Sequence, residues 1–242
     1  MDHKLIIYQE AESTQDIAKV MALSGEPEGL AVMALNQTQG RGRSGRDWTS
    51  PPGKNLALSL ILRPRIPAQE LPLLGLLVGV AVAETVEAYG IPRAELRWPN
   101  DVLISGKKVA GILLEAGMLS NSARFVIVGV GLNVNSTASD FPPDLQESVT
   151  SLLMCTARQW DLEETARKFL EHMETMYCRV YSEGPRFIPA LWSARWAHRG
   201  RTLVSNGLIG VGQGINEDGS LILKTGEGRM QLVTSGIVEP IG

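Results

Sequence analysis

The chain of 242 residues has few of the residues that build disulfide frameworks or histidine metal sites. Its two cysteines, Cys155 and Cys178, form neither a CxxC pair nor a disulfide framework. This usage is typical of a reducing cytosol, so we expect a cytoplasmic protein whose thiols are buried as small apolar groups. The three histidines, His3, His172 and His198, lack metal-ligand spacing, and we assign no metal to histidine.

A targeting segment and a long apolar run are also missing. The N-terminal stretch MDHKLIIYQE has no positive region followed by a long apolar run, so no signal peptide is visible. The most apolar segment, residues 71–83, spans thirteen residues, whereas a membrane span needs about 20. We therefore expect a core helix there and no membrane partner.

The chain has a slight excess of negative charge, but one loop carries a local cluster of arginines. The net charge of −3 disfavours general nucleic-acid binding. Against this background, GRGRSGRDW at 40–48 places three arginines and three glycines between two apolar segments. Glycine lets a backbone approach a ligand closely, and arginine holds carboxylate or phosphate with a fork of donors. The loop favours an enclosed anionic ligand; a solvated mobile loop and an RNA-binding segment are the alternatives.

The hydrophobic pattern predicts an α+β fold with a mixed, largely antiparallel sheet flanked by helices. Strands are predicted at 4–10, 29–36, 55–63 and 124–134, from residue 95 into a turn, and on both sides of a hairpin turn at 105–107. Helices are predicted from residue 14 to Gly25 and at 69–90, 161–183 and 187–197. From residue 199 onward, short alternating segments separated by Asn-Gly and Asp-Gly turns predict a small β-barrel. We therefore divide the chain into a larger unit at 1–198 and a barrel at 199–242.

Three further motifs carry polar side chains at the ends or starts of predicted strands. RWPND at 97–101 presents Asn100 and Asp101, which suit either Mg²⁺ binding or ordinary turn chemistry. GKKVAGIL at 106–113 contains Lys108, which suits either a phosphate or a solvated strand end. In GVGLN at 129–133, Asn133 follows two glycines that leave space beside the sheet.

The order of these motifs resembles that of the biotin protein ligases. The resemblance rests on ESTQ at 12–15, QTQGRGRSGRDW at 37–48, GKNLALSLILRP at 53–64, LRWPNDVLISGKKVAGILLE at 96–115 and VIVGVGLNVN at 126–135. It is dense over residues 10–135 and looser towards the C-terminus. It implies a class II synthetase-like biotin/lipoate ligase catalytic domain followed by a small SH3-like β-barrel.

The resemblance also implies a reaction in two steps. The carboxylate of biotin attacks the α-phosphate of ATP, giving biotinyl-5′-AMP and pyrophosphate. A lysine of a biotin carboxyl carrier protein domain then attacks this anhydride, giving an amide and AMP. ATP and Mg²⁺ are required, biotin is a substrate, and no prosthetic group is expected. The first step joins two anions, which requires fixed cations at the junction.

Particular positions take roles by resemblance. The catalytic residues are Arg43 and Lys108, which hold the carboxyl–phosphate junction, and Asp101, which orients or deprotonates the acceptor amine. The biotin-binding set is Ser13, Thr14, Gln15, Gln37, Gly40, Arg41, Gly42, Arg43, Lys108 and Gly111. The nucleotide-binding set is Arg41, Arg43, Arg46, Trp48, Asn100, Lys108 and Asn133, with Phe141 covering the nucleotide and Asn100 and Asp101 as ligands of Mg²⁺.

One rival function and several partner expectations accompany this hypothesis. Lipoate or octanoate protein ligases are similar in fold but carry an RRxSGGG-like loop where this sequence has GRGRSGR. Some biotin ligases begin with a DNA-binding helix-turn-helix domain; because the first strand starts at about Lys4, we expect no DNA binding here. A homodimer formed through strands at the end of the catalytic unit is compatible with the sequence but not required by it.

Overall fold

The computed structural model describes residues 4–119 and 122–241 of the chain. In chain order its elements are β1 Lys4–Ala11, α1 Thr14–Leu23, β2 Leu30–Gln37, β3 Leu56–Leu62, α2 Leu71–Glu87, β4 Glu95–Arg97, β5 Asp101–Ile104, β6 Lys107–Leu119, β7 Ser122–Leu132, α3 Leu152–Thr156, α4 Leu162–Glu183, α5 Ile188–Ser193, β8 Thr202–Ser205, β9 Leu208–Ile215, β10 Leu221–Lys224, β11 Met230–Val233 and β12 Glu239–Pro240.

The larger sheet has seven strands in the order β1-β2-β3-β7-β6-β5-β4. Its β1–β2 pair is parallel and its other pairs are antiparallel, which confirms the predicted mixed, largely antiparallel sheet. Alternate residues of a strand face opposite sides of a sheet. In β3, Leu58 and Leu60 therefore join the main core beneath α2, whereas Ile61 packs in a second cluster with Ala18 of α1.

Helix α2 is the central helix of the main core. The segment Ala68–Glu87 is long and apolar enough to cross a membrane by length and composition, with a mean hydropathy of 1.4. However, 67% of it is buried inside the protein, where α2 packs against α4, α5 and the sheet. This burial agrees with the core helix predicted from the sequence.

The C-terminal module is a five-stranded antiparallel sheet in the order β11-β10-β9-β8-β12. Its inward side chains, including Leu203 and Leu221, join the same hydrophobic cluster as the larger sheet. The indole Nε1 of Trp98 also donates a hydrogen bond of 3.0 Å to the backbone oxygen of Gly219. The predicted all-β module is confirmed, while the boundary at 198/199 stays a prediction because the core is continuous across it.

The helix predicted at 187–197 is too long. Helix α5 ends at Ser193 because the following residues pair with β4: Leu96 N donates to Arg195 O at 2.8 Å, and Ala197 N donates to Leu96 O at 3.0 Å. Backbone groups engaged in this way cannot continue the helical ladder.

The expectation that both thiols are buried is wrong. Cys155 on α3 and Cys178 on α4 are exposed. Helix α4 is amphipathic, and position 178 lies outside the buried stripe that includes Met176, Tyr177 and Val180.

Candidate active site

A cleft of about 470 Å³ lies on the α1 side of the larger sheet, above a row of small residues. Ala57, Gly131, Gly111 and Asp101 are neighbours across four adjacent strands, β3, β7, β6 and β5. Ala57 and the two glycines leave space above these strands, and the indole of Trp48 fills part of it over Gly131. Strand register and residue size together therefore determine the shape of the cleft floor.

One end of the cleft is neutral and rich in hydrogen-bonding groups. The backbone N and the Oγ1 of Thr14 donate to Gln37 Oε1 at 2.9 and 3.1 Å, and Thr14 Oγ1 lies 2.9 Å from Ser59 Oγ. Ser59 Oγ donates to Gln15 Oε1 at 3.0 Å. Ser13 caps α1, since its side chain accepts from Asp16 N. The side chains of this network are fixed by one another before any ligand binds.

Gly129 makes room for this network. A Cβ atom at position 129 would lie 2.6 Å from Gln15 Oε1, closer than two such atoms can approach. Gln15 also donates through Nε2 to the backbone oxygen of Ile127 at 3.3 Å. The side chain of Gln15 thus occupies the space that the missing Cβ leaves beside β7.

The middle of the cleft carries a carboxylate between two cations. Arg97 donates to Asp101 Oδ2 from Nε and Nη2, at 3.1 and 2.6 Å. Lys108 Nζ lies 2.7 Å from Asp101 Oδ1, as an ion pair that is not aligned as a hydrogen bond. The three residues lie close together because β5 starts at Asp101, opposite Arg97 of β4 and beside β6.

Arg43 reaches the same region from the arginine loop, residues 40–48. Its Nη1 donates to Asn100 Oδ1 at 3.0 Å, and Asn100 Nδ2 donates to the backbone oxygen of Ile112 at 3.0 Å. Burial lowers the pKa of the Arg43 guanidinium, Asp101 raises it and Arg46 lowers it further. The guanidinium nevertheless stays charged at neutral pH, because the ordinary pKa of arginine is far above 7.

The arginine loop folds back on itself over the cleft. Trp48 N donates to Gly40 O at 2.9 Å, and Gly42 N donates to Arg46 O at 2.7 Å. Its turn needs left-handed backbone at Ser44 and Gly45, with φ angles of 57° and 72°. The loop therefore has its own local order, although Ser44, Gly45 and Arg46 are exposed.

Trp48 covers the cleft floor. A Cβ at Gly131 would lie 2.6 Å from Trp48 Nε1, so the indole packs directly on this strand. Lys108 Nζ lies 5.4 Å from the centroid of the Trp48 ring, within cation–π range. Arg41 turns away from this centre and pairs with Asp16 at 2.6 Å.

The other end of the cleft is more apolar. Phe141 and Val149 line it and are buried, and Leu145 lies beside them. Asn133 Nδ2 donates to Thr150 O at 3.0 Å, while the buried Asn133 Oδ1 has no hydrogen-bond partner among the described residues. This amide oxygen is available to a donor that enters the cleft.

Within residues 4–119 and 122–241, no group of three or more His, Cys, Asp and Glu residues could hold a metal ion. Asn100 Oδ1 accepts from Arg43, and both oxygens of Asp101 face cations. This donor set fits a Mg²⁺ ion that is bound largely through phosphates and water rather than through the protein. Direct coordination by Asn100 and Asp101 stays a prediction.

Most of the residues predicted for the site lie together in this one cleft. Those that line it are Ser13, Thr14, Gln15, Gln37, Arg41, Gly42, Arg43, Arg46, Trp48, Asn100, Asp101, Lys108, Gly111, Asn133 and Phe141. Gly40 is not among them: its carbonyl holds Trp48, and a Cβ there would lie 2.8 Å from Gln37 Nε2, so it shapes the loop.

The sequence interpretation missed several residues that line the cleft. It did not name Ser59, Arg97 or residues 236–239 of the C-terminal module, and it predicted Gly129 and Gly131 only as glycines that leave space beside the sheet. Ser59 has a visible signal, since it is the single polar side chain within LALSLIL of β3. Residues 236–239 have none, because they meet the cleft only through packing of the C-terminal sheet.

The chain is similar in sequence to known protein ligases. Residues 7–133 match the model of the biotin/lipoate A/B protein ligase family. The chain is 39% identical over 239 residues to a bifunctional ligase/repressor BirA of Bacillus spizizenii, covering 96% of this chain and 73% of that protein. It is 32% identical to a biotin–[acetyl-CoA-carboxylase] ligase of Mycobacterium tuberculosis, over 96% and 87% of the two chains.

Its fold is similar to that of the biotin protein ligase of Aquifex aeolicus in complex with biotin and ATP. The TM-score is 0.83 at 30% identity, over 99% of this chain and 98% of the other. From the family match and these relatives, the chain belongs to the biotin/lipoate A/B protein ligase family.

Proposed function

We propose that this protein is an ATP-dependent biotin protein ligase, which forms biotinyl-5′-AMP and transfers biotin to a lysine of a biotin carboxyl carrier protein domain. One observation carries this proposal: a single cleft presents neutral amides and hydroxyls, then cations, then an apolar end. Biotin and AMP joined through a carboxyl–phosphate link present complementary groups in the same order.

The neutral end suits the ureido ring of biotin. That ring offers two N–H donors and one carbonyl acceptor, so uncharged hydroxyl and amide partners match it. Thr14, Gln15, Gln37 and Ser59 supply such groups and are already oriented by one another. The similarity to the Aquifex aeolicus ligase, crystallised with biotin and ATP, supports biotin over lipoate, and the arginine loop supports it further.

The cationic middle suits the first chemical step. A carboxylate oxygen of biotin forms a bond to the α-phosphorus of ATP, the bond to the β-phosphate oxygen breaks, and pyrophosphate leaves. Arg43 and Lys108 stabilise the negative charge that gathers at this junction. A Mg²⁺ ion bound with ATP would neutralise part of the phosphate charge, and Asn100 and Asp101 are the residues that would hold it.

The second step needs an uncharged acceptor amine. Its nitrogen bonds to the acyl carbon, the bond from that carbon to the phosphate oxygen breaks, AMP leaves, and the amine passes a proton to water. The contacts of Asp101 with Arg97 and Lys108 support a role in positioning Lys108 over a role as the proton acceptor.

The test is a labelling reaction. The protein is incubated with ATP, Mg²⁺, biotin and a carrier domain, and the products are blotted with streptavidin. The same carrier with its target lysine changed to arginine is the matched control. We expect signal only on the lysine form. Modification of a lipoyl domain with lipoate, without biotin transfer to the carrier, would overturn the proposal.

A further inference from the structure

A short ion pair lies behind the apolar end of the cleft. Lys54 Nζ lies 2.6 and 2.7 Å from the two carboxylate oxygens of Asp140. Asp140 Oδ2 also accepts from the N and the Oγ1 of Thr137, at 2.8 Å each. The side chain of Asp140 is 18% exposed, and neither Lys54 nor Asp140 lines the cleft.

This pair joins two segments that are distant in sequence. Lys54 follows the arginine loop and leads into β3, whereas Asp140 belongs to the segment 135–141, the nucleotide-side loop. Further bonds connect the same two segments: Asn135 N donates to Lys54 O at 2.7 Å, and Ser136 Oγ donates to Asn55 Oδ1 at 2.9 Å. These bonds fix the start of the loop, and the ion pair fixes its far end.

Phe141 is the next residue after Asp140 and is 6% exposed. Its ring lines the cleft together with Leu145 and Val149. A planar purine placed there gains from stacking and from burial. Phe141 N donates to Ala138 O at 3.2 Å and Gln146 Nε2 donates to Phe141 O at 3.0 Å, and the Lys54–Asp140 pair adds a tether at the residue before Phe141.

We propose that Lys54 and Asp140 are positioning residues for the nucleotide: their ion pair holds Phe141 in place and forms the wall of the ATP site before ATP binds. The inference rests on the proposed function. It predicts that the pair contributes to the affinity for ATP and not to that for biotin, because the neutral network makes no contact with this loop.

The test uses the full-length protein and the variants Lys54→Met and Lys54→Arg. A suitable control is Arg167→Met, which breaks the exposed Arg167–Glu163 pair of α4, also at 2.6 Å and away from the cleft. Hydrogen–deuterium exchange of residues 135–141 is measured without ligand. Titrations with MgATP and, separately, with biotin give the two affinities.

We expect faster exchange in the loop and about threefold to fivefold weaker binding of ATP for Lys54→Met, with biotin binding unchanged. Lys54→Arg should restore both values, and Arg167→Met should match the wild type. Unchanged exchange in Lys54→Met, or equal ATP affinities of Lys54→Met and wild type, would overturn the proposal. Failure of the wild type to bind ATP would instead refute the proposed function, and the exchange would still decide whether the pair holds the loop.

Discussion

Lys108 Nζ lies 2.7 Å from Asp101 Oδ1, while Arg97 holds the other oxygen of the same carboxylate. The carboxylate is therefore enclosed between two cations, and it fixes the position of the lysine that faces the cleft. Removing one member of such a partly buried group leaves the others without a partner. Asp101, which is proposed to act in the second step, is therefore in direct contact with Lys108, which is proposed to bind the anions of the first step.

Replacement of Asp101 by alanine should reduce biotin transfer far more than biotin binding. Without the carboxylate, Lys108 loses its anchor, and the acceptor amine loses a group that orients it. We expect transfer from bound biotinyl-5′-AMP to slow by about 100-fold, measured in single turnover, while the biotin dissociation constant changes little. The exposed Asp144→Ala is the control, and equal losses of transfer and of biotin binding would contradict the assignment of Asp101.

Gly131→Ala should displace Trp48 from the cleft floor. The added Cβ would lie 2.6 Å from the indole Nε1, so the ring would have to move away from β7. We expect biotin affinity to fall by about tenfold, since the cover of the site would shift by a methyl diameter or more. Gly214→Ala in β9 is the matched control, because a Cβ there meets nothing within 4 Å. Equal affinities of the two variants would count against Trp48 as the cover.

Much of this site could be predicted from the sequence, because its motifs occur as short local strings. The arginine loop, Lys108 and Asp101 each stand out in type from their apolar surroundings. Their meeting in one cleft depends on strand order, since β7 inserts between β3 and β6. That order brings Gly131 beside Gly111, and no local pattern specifies it.

Other features depend on long-range packing and could not be predicted locally. The contact of Ser59 with Gln15 spans 44 residues and exists because α1 crosses β3. Helix α5 stops early because its continuation pairs with β4, which overrides the helical pattern of its sequence. Residues 236–239 also reach the cleft through long-range packing, because the C-terminal sheet shares the main hydrophobic core with the larger sheet.

Ser59→Ala should weaken biotin binding and also lower the stability of the fold. The hydroxyl that Gln15 Oε1 accepts from would be lost, leaving a buried amide oxygen unsatisfied. We expect the free energy of unfolding to fall by about 1–2 kcal/mol, measured by urea denaturation. ATP affinity should stay unchanged, and Ser182→Ala on the exposed face of α4 should change neither property. If ATP affinity fell as much as biotin affinity, this would contradict the proposal that the neutral end of the cleft binds biotin and the apolar end binds the nucleotide.

Ligand binding should protect the arginine loop from trypsin. Arg41 and Arg46 are exposed, so the peptide bonds that follow them are accessible to trypsin. Biotin together with ATP brings anions to Arg43, which should hold the loop more firmly on the cleft and slow cleavage at least several-fold. The rate is measured by mass spectrometry of the fragments. Cleavage at the same rate with and without both ligands would refute closure.

The Lys54–Asp140 pair should also make stability depend on pH. The hydrogen bonds from Lys54, and then those from Thr137, lower the pKa of Asp140 from 3.8 to about 2. Because the folded state holds the charged carboxylate better than the unfolded state does, this stabilisation is complete above about pH 4 and is lost as the pH falls towards 2. The difference in free energy of unfolding between wild type and Asp140→Asn should therefore be constant from pH 7 to about 4.5 and shrink below that. Urea denaturation at intervals down to pH 3 measures it, and parallel curves over the whole range would show that the carboxylate charge plays no part.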